Sequence, residues 1–247
     1  MKNNFLSHLL CLSLFTTASL VSCSPESENG SMEDPRSENN HQHRAGSAAP
    51  FNDRNHFDLA GQIHNELLSI YYEQSPLPGT TEAIAERVEA VAGHNNAFIL
   101  LKPFAYSPVT GSGLDAMLDP SYGVSQAIGA SRLTPVAKES LLGFVSTLLE
   151  YVEKNERFEV IYEFAVNYEA SVSVNPLLNE HDKEVILTTA SIARHSAHFR
   201  KKKPKKNTDP DWDWLTANII GGTEGANYGT AEAITYALAG GIAENRQ

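Results

Sequence analysis

The fold is indicated most clearly by residues 134–152, which read TPVAKESLLGFVSTLLEYV. Thr134 can cap a helix with its hydroxyl, and Pro135 suits the first turn because its φ is already close to the helical value. Apolar side chains then recur at helical spacing, at Leu141, Leu142, Val145, Leu148, Leu149 and Val152. This stretch is therefore predicted to form an amphipathic helix.

Helical periodicity continues on both sides of this stretch. Upstream, residues 55–74 and 81–92 each carry an apolar stripe, and downstream residues 156–171 do the same. A further helix is predicted to begin after Asn179, which can act as its cap. Five helices over residues 51–200 suffice for one hydrophobic core. We therefore expect the all-α class, as an irregular helical bundle with a C-terminal glycine-rich helical hairpin.

Two segments within this region do not show the helical period. Residues 96–122 contain three prolines and two glycines and are predicted to form a loop, whose apolar run Phe98–Leu101 is expected to plug the core. Residues 172–174, at the end of the fourth helix, could turn extended because two of the three are valine.

The C-terminal residues 211–247 carry small side chains at every fourth position: Ala217, Gly221, Gly225, Gly229, Ala233, Ala237 and Gly241. Small residues at this spacing allow two helix backbones to approach closely. We expect a tightly packed hairpin bent near Gly221 and Gly222, with close contacts at Gly221, Gly225 and Gly229. The alternative is a self-associating or membrane-inserting segment like those of small antibacterial peptides.

The first 22 residues are typical of an export signal, with Lys2 followed by an apolar-leaning run over residues 5–20. That run is too short for a signal-anchor helix that spans a bilayer. Next come Leu20-Val21-Ser22-Cys23, which resemble the lipobox of bacterial lipoproteins. The resemblance implies that Cys23 receives a diacylglycerol and becomes the mature N-terminus, so that a lipid anchor makes the membrane a partner of the chain.

Residues 23–50 are predicted to be a disordered tether, because they contain almost no apolar side chain. A random coil of this length reaches on the order of 30 Å. Glu26 and Glu28 resemble the acidic signals that send lipoproteins of the Bacteroidetes to the cell surface, although acidic tethers also serve solubility. We expect a location in the bacterial cell envelope, anchored in the outer membrane, with surface exposure as an open alternative.

Charge is unevenly distributed. The whole chain carries a formal net charge of -11, which argues against a nucleic-acid partner. Residues 201–210 are nevertheless predicted to form a basic linker between the helical domain and the tail. The basic run could contact an anionic surface or remain a solvated linker, and it consists of Arg200, Lys201, Lys202, Lys203, Lys205 and Lys206.

Residues 55–65, NHFDLAGQIHN, resemble the start of a set of uncharacterised helical proteins from Bacteroidetes that also end in a Trp-bearing, glycine-rich tail. The resemblance implies no known activity. Asp58, Gly61 and Asn65 share one helix face, where the glycine would admit a neighbouring loop and the polar side chains would bond to its backbone. His64 lies on the apolar stripe and is expected to be a hydrogen-bonded core residue. A hydrolase site around Asp58 and His64 is the weaker alternative.

Other chemical motifs are sparse. His195 and His198 lie three residues apart on a predicted helix, but no third metal ligand is placed by spacing and histidines near a helix C-terminus commonly interact with its dipole. The sequence contains neither HExxH nor a GxGxxG that follows a strand. We therefore assign no catalytic residue, metal ligand or cofactor from the sequence.

Two functional classes follow from these features. The first is a non-enzymatic envelope lipoprotein whose helical body binds a protein or associates with itself. The second is an antibacterial or toxin-like effector that acts through the glycine-rich tail. A tail packed into the body favours the first class, and a loose tail with a displayed apolar face favours the second.

Overall fold

A computed structural model describes residues 49–202 and 211–246, with side chains described for 49–199 and 213–246. Within these ranges helices are the regular secondary structure and there is no strand, which confirms the predicted all-α class. The helices are α1 (Asp58–Glu73), α2 (Thr81–Ala92), α3 (Asn96–Leu101), α4 (Gly111–Met117), α5 (Val124–Ala130), α6 (Pro135–Glu153), α7 (Phe158–Val174), α8 (Glu180–Lys202), α9 (Asp211–Ala226) and α10 (Thr230–Glu244).

Helix starts follow the capping residues read from the sequence. Thr134 accepts a hydrogen bond from the amide of Ala137 at 3.4 Å, so α6 begins at the predicted proline. The amide of Asp182 donates to Asn179 Oδ1 at 2.8 Å, which caps α8. The Asp182 carboxylate also accepts from the Thr134 amide and hydroxyl, at 2.9 and 2.8 Å. The first turns of α6 and α8 are thereby joined.

The predicted loop over residues 96–122 was wrong in part, because α3 and α4 lie within it. Each of these helices spans only six or seven residues, which is too short to display a period. Side-chain caps define them instead: Asn95 Oδ1 accepts from the Phe98 amide at 2.9 Å, and Thr110 Oγ1 accepts from the Gly113 amide at 3.1 Å. Residues 172–174 are helical rather than extended, because α7 continues to Val174.

The run Phe98–Leu101 fills the core only in part. Phe98 is fully buried and Leu101 is half-buried against the core. Ile99 and Leu100 point outward and are 47% and 86% exposed, because consecutive residues of a helix face different directions. The expectation that the whole run plugs the core was therefore wrong for two of its four residues.

Helix α8 is the centre of the molecule. Its residues 185–198 are all buried, beneath α1, α7 and the α9–α10 hairpin. Helices α9 and α10 pack antiparallel against each other and also against α1, α2 and α8. The turn between them falls at residues 227–229, so the bend predicted near Gly221 and Gly222 was misplaced. Within the described ranges, none of the helices combines the length and apolar character that a bilayer span requires.

Candidate functional site

The candidate site is a cluster of ionisable side chains where α1, α7 and α8 meet. Arg194 of α8 is fully buried at its centre. Its Nη2 lies 2.5 Å from Asp58 Oδ1 of α1 and 3.2 Å from Glu169 Oε2 of α7. Its Nε donates to Glu169 Oε1 at 3.1 Å, so the guanidinium contacts both oxygens of Glu169. A single cation thus cross-links three helices through two carboxylates.

His195 completes the cluster on the side of Asp58. Its Nε2 lies 3.2 Å from Asp58 Oδ1. Burial lowers the pKa of His195, and the hydrogen bond with Asp58 only partly opposes this. The ring is therefore neutral at neutral pH, and because an ionised carboxylate only accepts, Nε2 carries the proton and donates to Asp58.

The two carboxyl groups differ in their electrostatics. At Asp58, burial acts to raise the pKa, but the hydrogen bond from His195 and the charge of Arg194 outweigh it, so the pKa lies below its ordinary value. At Glu169, burial prevails over the charge of Arg194 and the hydrogen bond from Asn52, so the pKa lies above its ordinary value. The ionised form is consequently more strongly favoured at Asp58 than at Glu169.

Residues 50–57, which we call the N-terminal strap, cover this cluster. Asn52 Nδ2 donates to Glu169 Oε2 at 2.5 Å, and Asn55 Nδ2 donates to the carbonyl of Leu187 at 3.1 Å. The carbonyl of Phe51 accepts from the Tyr162 hydroxyl at 2.8 Å. The Phe51 ring also packs edge-on against the imidazole of His195, with 5.6 Å between centroids. The strap therefore ties the start of the described chain to α7 and α8.

Helix α1 approaches α8 closely at Gly61. A Cβ there would lie 2.5 Å from the His195 ring and 2.6 Å from the carbonyl of Ser191. Ser191 Oγ accepts from the Gly61 amide at 3.2 Å and donates to the Asp58 carbonyl at 3.0 Å. One turn later, Asn65 Nδ2 donates to the His195 carbonyl at 2.7 Å. One face of α1 is thus hydrogen-bonded to α8 through both backbone and side-chain groups.

The structure changes two details of the predicted lock. The partner of Asp58, Gly61 and Asn65 is helix α8, whereas the sequence was interpreted as placing a loop there. Asn65 does bond to the neighbouring backbone. The Asp58 carboxylate instead binds the side chains of Arg194 and His195, because both project from α8 toward the start of α1.

His64 lies one residue before Asn65 and is fully buried. Its Nδ1 is 3.0 Å from Asn65 Oδ1. Burial lowers the pKa of His64 to about 4, opposed by hydrogen bonds with Asn65 and Asn218. The imidazole is therefore uncharged at neutral pH. It lies in the core, where α1 meets the α9–α10 hairpin.

The predicted glycine contacts lie away from this cluster, in the α9–α10 hairpin. A Cβ at Gly221 would overlap the backbone of Tyr236, and one at Gly225 would overlap the backbone of Glu232. Gly229 lies in the turn and precedes the first residue of α10, so it is not within either helix. The two helices therefore approach each other closely at Gly221 and Gly225, and Gly229 is not part of a contact between helices.

The structure describes only part of the remaining predicted residues. Arg200, Lys201 and Lys202 form the C-terminal end of α8. Cys23, the tether up to residue 48 and Lys203, Lys205 and Lys206 lie outside the described residues. His198 packs its ring against Phe158 at 4.6 Å, whereas His195 turns to Asp58. Over the described ranges, no group of three or more His, Cys, Asp or Glu side chains could hold a metal ion.

Sequence reasoning missed Arg194, Glu169, Asn52 and Ser191. A signal for Glu169 was present, because it follows Ala165 by four residues and therefore continues the buried stripe of α7. A charged side chain on a buried stripe requires a partner of opposite charge. Arg194 is likewise a charged residue in a buried position, because the middle of α8 is buried on all sides.

Comparisons with protein-family models, curated proteins and solved structures found nothing that matches this chain. The function is therefore inferred from the geometry alone. A carboxylate, an imidazole and a guanidinium in hydrogen-bond contact could serve acid–base chemistry in an open cleft. Here they lie beneath the N-terminal strap, where their contacts hold α1, α7 and α8 together.

Proposed function

We propose that the protein is a lipid-anchored lipoprotein of the bacterial envelope, located in the outer membrane. Its helical body acts by binding another protein or a second copy of itself rather than by catalysis. The anchor is the lipid on Cys23, and the tether predicted over residues 23–50 joins the lipid to the body.

The packing of the α9–α10 hairpin is the observation that carries this proposal. Residues Ala231–Ala243 of α10 are buried with the exception of Tyr236. An effector tail would have to leave the core and expose side chains such as Ile234, Leu238 and Ile242. Each would lose about 1.5–3 kcal/mol of burial free energy. Because this loss of burial free energy opposes release of the tail, it supports the proposal that the tail is part of the stable body.

The ionisable cluster supports the same conclusion. Arg194 and Glu169 are at most 1% exposed, and the strap contacts the cluster through Asn52 and Phe51. Cross-linking three helices explains the geometry of these residues without a reaction. The weaker hydrolase alternative around Asp58 and His64 is not supported by this arrangement, since His64 is engaged with Asn65 instead of Asp58.

The anchor is tested by two cysteine variants of the full chain, expressed in a bacterium that processes lipoproteins. Cys23→Ser should abolish palmitate labelling and partition into the detergent phase. Cys11→Ser is the matched control, because it lies in the expected signal and should leave both unchanged. Labelling that persists in Cys23→Ser would overturn the lipoprotein assignment.

The role of the tail is tested by hydrogen exchange on the anchored protein in vesicles. Amides of α10 should exchange as slowly as those of α8, because both helices belong to one core. The vesicles should also retain an entrapped dye. Fast exchange confined to α9 and α10, together with dye release, would instead establish the effector class.

A further inference from the structure

The segment 96–106 carries apolar side chains that pack into the core and others that are exposed to solvent. Phe98 is buried, and Leu101 and Tyr106 pack partly against the core. On the outer side, Leu100 is 86% exposed and Phe104 is fully exposed, with Ile99 at 47%. We call Ile99, Leu100 and Phe104 the apolar patch.

The backbone keeps the patch on the surface. Asn95 caps α3 at its start, and α3 ends after Leu101 because Lys102 adopts an extended conformation before Pro103. The Tyr106 amide donates to the carbonyl of Pro103 at 3.2 Å, which turns the chain back to the core. Leu100 and Phe104 are therefore exposed on one short segment that Phe98 and Tyr106 hold against the core.

A cation accompanies the patch. Lys102 lies between Leu100 and Phe104 in the sequence, and its Nζ is 4.2 Å from the centroid of the Tyr106 ring. This cation–π contact holds the ammonium group over the Tyr106 ring, on the same short segment as the patch. Exposed leucine and phenylalanine next to lysine are the composition of segments that lie in the membrane interface.

The size of the patch distinguishes a bilayer from a protein as its occupant. At about 150–250 Å² for each large side chain, three would offer roughly 450–750 Å². Ile99 is only 47% exposed, so the patch lies below the upper end of that range. A stable protein interface needs about 800 Å² on each partner. A bilayer surface has no such requirement, because a lipid anchor supplies most of the affinity and the patch need only add to it.

The chain outside the described residues places a bilayer within reach. The described body begins at residue 49, so only the 25 residues from 24 to 48 separate it from Cys23. A patch on a body tethered so closely meets the membrane at a high effective concentration. The net charge of -11 gives no general electrostatic attraction to anionic lipids, so contact must rely on apolar insertion.

We propose that Ile99, Leu100 and Phe104 insert into the headgroup region of the bilayer that holds the lipid on Cys23, with Lys102 at the level of the phosphates. This contact orients the body, so that the face carrying α3 lies on the membrane and the opposite faces remain free for a partner. It rests on the proposed lipid anchor.

The test uses the lipidated full-length product, reconstituted in vesicles of phosphatidylethanolamine and phosphatidylglycerol. Once Cys11 has left with the signal and Cys23 is lipidated, no other thiol remains, so one added cysteine can be labelled selectively with an environment-sensitive dye. Ala105→Cys places the dye next to an intact patch, and Ser146→Cys places it on the exposed side of α6 as a control.

The dye at Ala105→Cys should shift to shorter wavelength and be quenched by spin-labelled lipid, whereas the dye at Ser146→Cys should do neither. Adding Leu100→Ser and Phe104→Ser to Ala105→Cys should abolish the shift, and these exposed positions can be changed without disturbing the core. Equal behaviour of the dyes at positions 105 and 146 on floated vesicles would overturn the patch proposal alone. Protein that fails to float with the vesicles would instead contradict the anchor.

A second copy of the chain is the other occupant that the same measurements detect. If the dye at Ala105→Cys shifts in detergent solution as protein concentration rises, and light scattering reports a dimer, the patch is a self-association surface. That result would overturn membrane insertion. A shift that requires vesicles and is independent of protein concentration supports it.

Discussion

The neighbouring glycines Gly221 and Gly222 of α9 should respond in opposite ways to the same substitution. In the middle of a helix, Gly→Ala gains about 1 kcal/mol of helix propensity at either position. At Gly222 the new methyl group would lie 3.7 Å from Ile192 Cδ1 and 3.9 Å from Ala237 Cβ, which are ordinary contacts. At Gly221 it would overlap the carbonyl of Tyr236, which is backbone and cannot rotate away.

The magnitudes separate the two variants clearly. Overpacking costs typically 1–3 kcal/mol, and a clash with backbone should lie near the upper end. Gly221→Ala should therefore lose about 2 kcal/mol of unfolding free energy after the propensity gain, and Gly222→Ala should gain up to about 1 kcal/mol. For a body of this size, 1 kcal/mol corresponds to roughly 2–4 °C in Tm.

Urea and thermal unfolding of both variants, made in a Cys23→Ser background without the signal, provide the measurement. The control is Gly143→Ala on α6, whose methyl group would meet nothing within 4 Å and should stabilise by propensity alone. If Gly221→Ala is as stable as Gly222→Ala, the close approach of α9 to α10 is refuted, and with it the reasoning that places the hairpin in the core.

Three further predictions concern the site. The pKa of His64, lowered by burial to about 4, means that between pH 6.5 and 4 the unfolded chain binds a proton that the folded chain does not. Stability should therefore fall by about 3 kcal/mol as pH drops through this window, and His64→Gln should lose that part of the slope in urea titrations. Arg194→Met should destabilise the fold by about 3–5 kcal/mol, because it leaves two buried carboxylates without a cation. Its control is Lys154→Met, which breaks an exposed ion pair at the end of α6 and should cost less than about 1 kcal/mol. Equal costs for these two would contradict the structural role of the cluster. Gly61→Ala should destabilise by about 1–3 kcal/mol through overlap with the His195 ring, and a Tm at or above the parent value would disprove the close α1–α8 contact.

The helices that the sequence predicted well are those in which local signals agree. Helix α2 was predicted with the observed bounds, and α6 begins at Pro135 as expected, because cap, first turn and apolar period all point to the same residues. Helices α3 and α4 were missed, since prolines and glycines nearby outweigh a period that six or seven residues cannot display. Their asparagine and threonine caps were the usable signal.

Of the candidate site, the sequence predicted the residues on α1 but not their partners on α7 and α8. Asp58, Gly61 and Asn65 were recognised because a glycine flanked by polar residues on one helix face indicates a close neighbour. Their partners on α8 could not be identified from spacing, since Arg194 lies 136 residues from Asp58 and the pairing depends on tertiary packing. The misplaced hairpin bend has a similar cause: glycine every fourth residue suits a helix-packing face as well as a turn, and packing decides between them.

The position of the ionisable cluster suggests why the protein retains it. A buried ion pair is poor evidence for net stability, because desolvation can exceed the attraction, but it specifies which groups meet. Chain ends usually fray unless they are tied down. Here the strap is fastened to α7 and α8 by Asn52, Asn55 and Phe51, and Asn52 bonds to Glu169 of the cluster. With the proposed lipid on Cys23, a pull on the anchor would reach the described body at the strap, and the contacts of the strap with α7 and α8 would resist it.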